Sequence, residues 1–273
     1  MASCCVTGFR WDGTPKGHEA TLANNKAYVT GTNKESAVLI VHDIFGWTLN
    51  NARLLADHYA EEADVTVYLP DFFGGDIVTP DRLMGTGEHA NSEPFDVMGF
   101  LGKNNKEVRQ PEIFACATAL KKDLGYKKVG AIGFCYGGWA VFRLAAKVDV
   151  DVAVKNRLEI VFGPVTDKTW KTGNNLIDCV STAHPSLLDK AEIDALGVPT
   201  QILAPEEDPL YTPELKEYSL KTLPTLNIEY DYQYFPGLAH GFATRGDTKD
   251  PKQKKGLERA KNAAAAWFRE YLH

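Results

Sequence analysis

Residues 127–147 read KKVGAIGFCYGGWAVFRLAAK, and this stretch constrains the fold more than any other. The run Val129 to Phe134 is apolar and strand-like, and a helical pattern starts immediately after Cys135. A chain that passes from strand to helix across so few residues crowds its own backbone. Glycines at 133, 137 and 138 relieve that crowding, because they carry no Cβ. The pattern predicts a strand, a sharp bend and a helix, with the Cys135 sulfur pushed out at the helix N-terminus. The helix dipole favours a thiolate there.

The rest of the chain repeats the alternation. Strands are expected at 36–43, 65–71, 128–134, 178–185, 200–208 and 228–237. Helices are expected at 50–62, 111–123, from 135 onward, 212–223 and 254–272. The last shows Leu257, Ala260, Ala264, Trp267 and Tyr271 on one stripe. A polar insertion, about 74–108, has no clear pattern. The expected class is α/β, with a mostly parallel central sheet and helices on both faces. No repeat or linker divides the chain, so residues 1–273 are read as one domain.

Composition narrows the function. Of the residues, 44% are hydrophobic and 24% charged, as in ordinary globular proteins. A net charge of −6 argues against nucleic acid as a partner. No apolar run reaches the roughly 18–20 residues of a membrane span. The opening MASCCVTGFRWDGTPKG lacks the apolar core of a secretory signal. Five cysteines, an odd number in a chain this long, fit a reducing, cytoplasmic home better than a disulfide framework. There is no CxxC pair and no His/Cys cluster of zinc spacing, so no metal is expected. Cys4 and Cys5 are read as tail packing, and KDPKQKK (249–255) as a solvated loop and helix start.

Chemistry in such sheets gathers at the carboxyl ends of strands. Asp43, Cys135, His184, Asp208 and His240 all follow expected strands. Nucleophile, acid and histidine stand in the chain order of the α/β-hydrolase fold, with GxCxGG where the G-x-S-x-G elbow would be. Cys135 is the candidate nucleophile and His240 its base. Asp208 orients the imidazole, although Glu206 and Glu207 compete with it in the same turn. Backbone N–H groups of Tyr136 and Ile44 are the expected oxyanion hole. Asp43 is read either as an active-site carboxylate or as a turn residue. His184 is a pocket residue or a core histidine. Arg245 binds a substrate carboxylate or pairs with Asp247, and Asp71 is read as a turn residue. Phe45, Trp47, Phe72, Phe73 and Tyr136 are candidate walls of an apolar pocket.

The segments HDIFGW, YLPDFFGGD, GAIGFCYGGWA, EEDPLYTPE and GLAHGFATR resemble the dienelactone hydrolase family, a cysteine branch of the α/β hydrolases. Together they span about 36–245, and the opening resembles the fungal and other eukaryotic members. The resemblance implies a Cys-Asp-His triad on Cys135, Asp208 and His240, favouring Asp208 over its neighbours, and no cofactor. It also implies a glutamate that poises the thiol, a position held here by Asp43, one methylene shorter. Of the two arginines that hold a substrate carboxylate in bacterial members, Arg245 lies one residue from one position, and the resemblance does not place the other.

A thiolate nucleophile limits the substrate. The tetrahedral intermediate expels its better leaving group, so a simple alkoxide loses to the thiolate and no net reaction occurs. Enolates, phenolates and thiolates leave readily. The expected substrate is therefore a small activated ester or enol-lactone. A thioesterase or a secondary-metabolism lactonase on the same site is the alternative. A non-catalytic hydrolase-fold binding protein and a thiol redox sensor are the rivals outside hydrolysis. A monomer or a homodimer is expected, with no membrane partner.

Overall fold

A computed structural model describes residues 11–147 and 176–273. Cys4 and Cys5 lie outside the described residues. The chain begins with a hairpin that sequence patterning misses, β1 (His18–Leu22) and β2 (Asn25–Thr30). Its two-residue turn, Ala23–Asn24, has φ of 46° and 69°. That is the left-handed turn matched to strand twist, but an alanine stands where glycine or asparagine usually announces it.

The expected alternation follows: β3 (Ser36–Val41), α1 (Asn50–Glu62), β4 (Thr66–Pro70), α2 (Pro80–Met84), α3 (Val97–Lys103), α4 (Lys106–Thr118), β5 (Lys128–Phe134) and α5 (Gly137–Leu144). After residue 176 come β6 (Cys179–Ala183), α6 (Lys190–Asp194), β7 (Thr200–Glu207), α7 (Pro213–Thr222), β8 (Tyr230–Ala239), α8 (Phe242–Arg245) and α9 (Pro251–Leu272). The eight strands form one sheet in the order β1-β2-β4-β3-β5-β6-β7-β8. The hairpin pairs antiparallel, and β4 through β8 run parallel. Every residue of β3 and β6 is buried, as expected of parallel strands covered on both faces.

Helices α1 and α9 pack together against the sheet, and α4, α5 and α6 form a second layer. Helix α9 buries the predicted stripe at Leu257, Ala260, Ala264 and Trp267, with Phe268 and Leu272 added. It starts three residues earlier than expected, because the Asp250 carboxylate caps the amides of Lys252 and Gln253. Helix α4 also starts early. Asn105 caps it through Val108 N–H at 3.0 Å, and Pro111 sits inside the helix rather than at its start. Pro111 is exposed, so the carbonyl it cannot serve is open to water. A π-helical turn (Ala119–Asp123) ends this segment.

The second layer is tied by a buried ion cluster. Glu192 of α6 has no exposed side-chain surface. It accepts from Arg143 Nε of α5 at 2.6 Å and from Lys106 Nζ of α4 at 2.9 Å. Its other oxygen accepts Asp189 N–H at 3.0 Å, completing a capping box. Removing the carboxylate takes away the acceptor shared by Arg143, Lys106 and the Asp189 amide. Glu192→Ala is expected to lower unfolding free energy by about 3–5 kcal/mol, read from urea denaturation, and a loss under about 1 kcal/mol would mean that the cluster contributes no net stability.

Candidate active site

Cys135 is the bend between β5 and α5, with φ of 48°, a conformation side-chain-bearing residues seldom adopt. The bend is enforced by close approach. A Cβ on Gly137 would lie 2.1 Å from the Val41 carbonyl oxygen, and one on Gly138 would lie 2.4 Å from Pro185 Cβ. Neither space admits alanine without moving backbone. Parallel pairing places β3, β5 and β6 side by side, so residues after Val41, Phe134 and Ala183 emerge at one edge.

The β7–β8 register brings the remaining pieces there. Glu207 is opposite Ala239, and His240 N–H donates to the Glu207 carbonyl at 2.9 Å. Asp208 and His240 are therefore adjacent, and Asp208 Oδ1 lies 2.9 Å from His240 Nδ1. The same oxygen accepts Leu210 and Tyr211 N–H at 2.9 and 3.0 Å, so it acts as an acceptor and Nδ1 carries the proton. Glu206 and Glu207 are exposed, and Glu206 accepts the Gly237 amide instead. Of the three adjacent carboxylates, Asp208 is the one held against the imidazole.

This fixed tautomer leaves His240 Nε2 for the thiol. Burial favours the neutral imidazole, but the Cys135 charge and then the hydrogen bond and charge of Asp208 outweigh it and raise His240 to about 10. Burial likewise favours the neutral thiol. The positive charge of His240, and then the Arg245 guanidinium, outweigh it and hold Cys135 below its ordinary value, while Asp43 acts the other way. The other two described cysteines behave oppositely. Burial pushes Cys116 up to about 12 and raises Cys179 as well. All three are free.

Asp43 follows β3. Its carboxylate accepts Phe45 N–H at 2.9 Å and Thr244 Oγ1–H at 2.9 Å, and lies 3.2 Å from Arg245 Nε. Arg245 is buried, and its guanidinium lies 4.9 Å from the Phe45 ring centroid. The Asp43 carbonyl accepts Gly46 N–H at 3.1 Å, and the Ile44 amide has no hydrogen-bond partner among the described residues. The Tyr136 amide also has no hydrogen-bond partner among the described residues. His42, next in the chain, is locked structurally. Phe72 N–H donates to its Nε2 at 3.1 Å, so Nδ1 donates to the Asp43 carbonyl at 2.8 Å. Asp71 holds a turn by accepting Phe73 and Gly75 N–H.

His184 follows β6 with φ of 40° and has no exposed surface. Its ring packs edge-on against His240, centroids 4.9 Å apart. Burial, and then the charges of His240 and Arg245, hold it far below its ordinary value, so it is neutral. The insertion whose path sequence could not supply surrounds the bend: the Phe73 ring meets those of Phe100 and Tyr136, and Tyr136 O–H donates to the Asn104 carbonyl. Phe45 lines a cleft of about 150 Å³ with Leu49, Ile77, Val78 and Pro80. Two participants escaped sequence reasoning. Thr244 braces Asp43, and Ser186 Oγ lies 3.7 Å from Cys135 Sγ. The one sequence signal for Ser186 was its place just beyond a strand end.

A mostly parallel eight-stranded sheet with this elbow defines an α/β hydrolase. A sequence model of the dienelactone hydrolase family matches residues 22–272, and the chain belongs to that family. It is a hydrolase acting on ester or lactone bonds. It is 29% identical to the hydrolase tropI of Talaromyces stipitatus over 278 residues, covering 99% of this chain and 96% of that protein. It is 29% identical to the Homo sapiens carboxymethylenebutenolidase homolog, covering 98% and 96%. Carboxyl esterase 2 from the fungus Tuber melanosporum shares the fold, with a TM-score of 0.61 at 13% identity over 97% of this chain and 90% of that one.

The close approach at the bend makes a stability prediction. Gly137→Ala is expected to cost about 1–3 kcal/mol, measured by urea denaturation, because the Val41 carbonyl must move.

Proposed function

We propose that the chain hydrolyses a small activated ester or enol-lactone through a Cys135-His240-Asp208 triad and a thioester acyl-enzyme. The observation that carries this reading is the buried Asp208–His240 pair, 2.9 Å apart, at the same strand-end edge as Cys135, which the elbow presents at positive φ. The thiolate attacks the carbonyl carbon. The unengaged amides of Tyr136 and Ile44 receive the oxyanion, and the His240 imidazolium protonates the leaving oxygen. Water, deprotonated by the now neutral His240, then releases the acid and restores the pair. Leaving-group chemistry selects enolates and phenolates over alkoxides, which agrees with a family named for a lactone.

Arg245 acts in this reading through its charge, which favours the thiolate, and through Asp43, which it anchors. Asp43 poises the thiol, its charge restraining ionisation. His184 supports the face of His240. No helix among the described residues is long and apolar enough to cross a membrane. The free cysteines fit a reducing cytoplasm.

Intact-protein mass during turnover of an activated aryl ester tests the mechanism. Wild type is expected to carry a transient acyl adduct. Cys135→Ala is expected to lose both the adduct and the activity; equal turnover by the two proteins would refute the reading. The pH profile of kcat/KM follows from the same pair. Cys135 is lowered and His240 raised to about 10, so thiolate and imidazolium coexist at neutral pH. Activity should fall on acidification as the thiolate is protonated, and again above about 10 as the imidazolium is lost. A profile rising steadily from neutral pH to 10 would mean that the thiol ionises unassisted. Asp208→Asn should lower kcat by about 10²–10⁴-fold with the fold intact, because the imidazolium loses the negative charge beside Nδ1.

A further inference from the structure

The sulfur has a polar neighbour that the triad does not use. Ser186 is 4% exposed, and its hydroxyl lies 3.7 Å from Cys135 Sγ with no other partner among the described residues. Its place is strongly determined. Ser186 N–H donates to the Cys135 carbonyl at 2.8 Å, and Cys135 N–H donates to the Ala183 carbonyl at 3.3 Å. Pro185 lies against Gly138 at the start of α5, where even a methyl would clash. His184 and Leu187, with φ of 40° and 60°, bend the chain on either side of the Pro185–Ser186 pair. The loop after β6 is thus clamped to the elbow, and the clamp delivers a hydroxyl to the sulfur.

A hydroxyl donates or accepts, whereas a thiolate only accepts, which sets the direction of the bond. We propose that Ser186 is a further catalytic residue, donating a hydrogen bond to the Cys135 thiolate and steadying it as the leaving group when the acyl-enzyme breaks down. The proposal rests on Cys135 being the nucleophile. In that step water adds to the thioester carbon and gives its proton to His240 Nε2. The tetrahedral intermediate collapses, the C–S bond breaks, and its electron pair goes to sulfur. Ser186 keeps its proton throughout and contributes the hydrogen bond alone. Stabilising a thiolate weakens it as an attacking group and improves it as a leaving group, so losing the bond penalises deacylation rather than acylation.

The test compares wild type with Ser186→Ala and Ser186→Thr. The first readout is the pH dependence of Cys135 alkylation by iodoacetamide, followed by intact mass, which needs no turnover. The second is kcat, KM and the steady-state acyl-adduct fraction on an activated aryl ester. Ser186→Ala should raise the alkylation midpoint by about one pH unit, the scale of one hydrogen bond to a charged group. It should lower kcat and KM together by about tenfold, leave kcat/KM nearly unchanged, and accumulate the adduct. Ser186→Thr should restore wild-type behaviour. Should alanine collapse the loop, Ser186→Thr and Ser186→Val, alike in shape, carry the same comparison. A wild-type midpoint and adduct level in the hydroxyl-free variants overturn the role of Ser186 and leave the nucleophile standing. A wild-type enzyme whose midpoint is that of a free thiol, near 8.5, overturns the thiolate reading and this proposal with it.

Discussion

The structure turns on how closely strand β5 and helix α5 meet. Gly137 sits against the Val41 carbonyl and Gly138 against Pro185, so the residue between strand and helix has one place to go. Cys135 takes it at positive φ. The contacts at this bend reach three neighbouring strands. Val41 ends β3, Phe134 ends β5, and Pro185 follows β6. The elbow is therefore a junction of the sheet as well as a local turn, and it aligns three strand ends around the sulfur.

Around this junction, buried charge is handled by pairing. Asp43 has a backbone amide, a hydroxyl and a guanidinium about its carboxylate. Asp208 has two amides and the His240 ring. Two further buried histidines stay neutral. Burial is the main cause for both, and His184 is additionally repelled by the positive charges of His240 and Arg245. A desolvated pocket strengthens each interaction that remains, so a few groups suffice to ionise a buried thiol. The contrast with Cys116 and Cys179 makes the point within one chain: where burial outweighs every neighbour, the same chemistry gives raised thiols.

Much of the fold was legible because parallel strands and amphipathic helices leave strong periodic patterns. The β1–β2 hairpin was not, since its turn uses Ala23 where a glycine would have been diagnostic. The start of α4 was misplaced because Pro111 reads as a first-turn residue, while the Asn105 cap outranks it. Within the site, Arg245 could be matched to Asp247 by proximity in sequence, yet it lies against Asp43, across the sheet edge. The choice of Asp208 over Glu206 and Glu207 depended on the β7–β8 register, which includes an irregularity between Pro205 and Glu207.

The amino-acid sequence by itself determined the elbow, the cysteine upon it and the chain order of cysteine, acid and histidine. These are local facts: a φ requirement, glycines within three residues, and side chains placed directly after apolar strands. Tertiary structure decided which carboxylate faces His240, what anchors Asp43, that His184 lies against His240, and that Ser186 reaches the sulfur. Those contacts join residues as far apart in the chain as Asp43 and Arg245. Their geometry depends on strand register and loop clamping, where a shift of one residue turns a side chain to the other face.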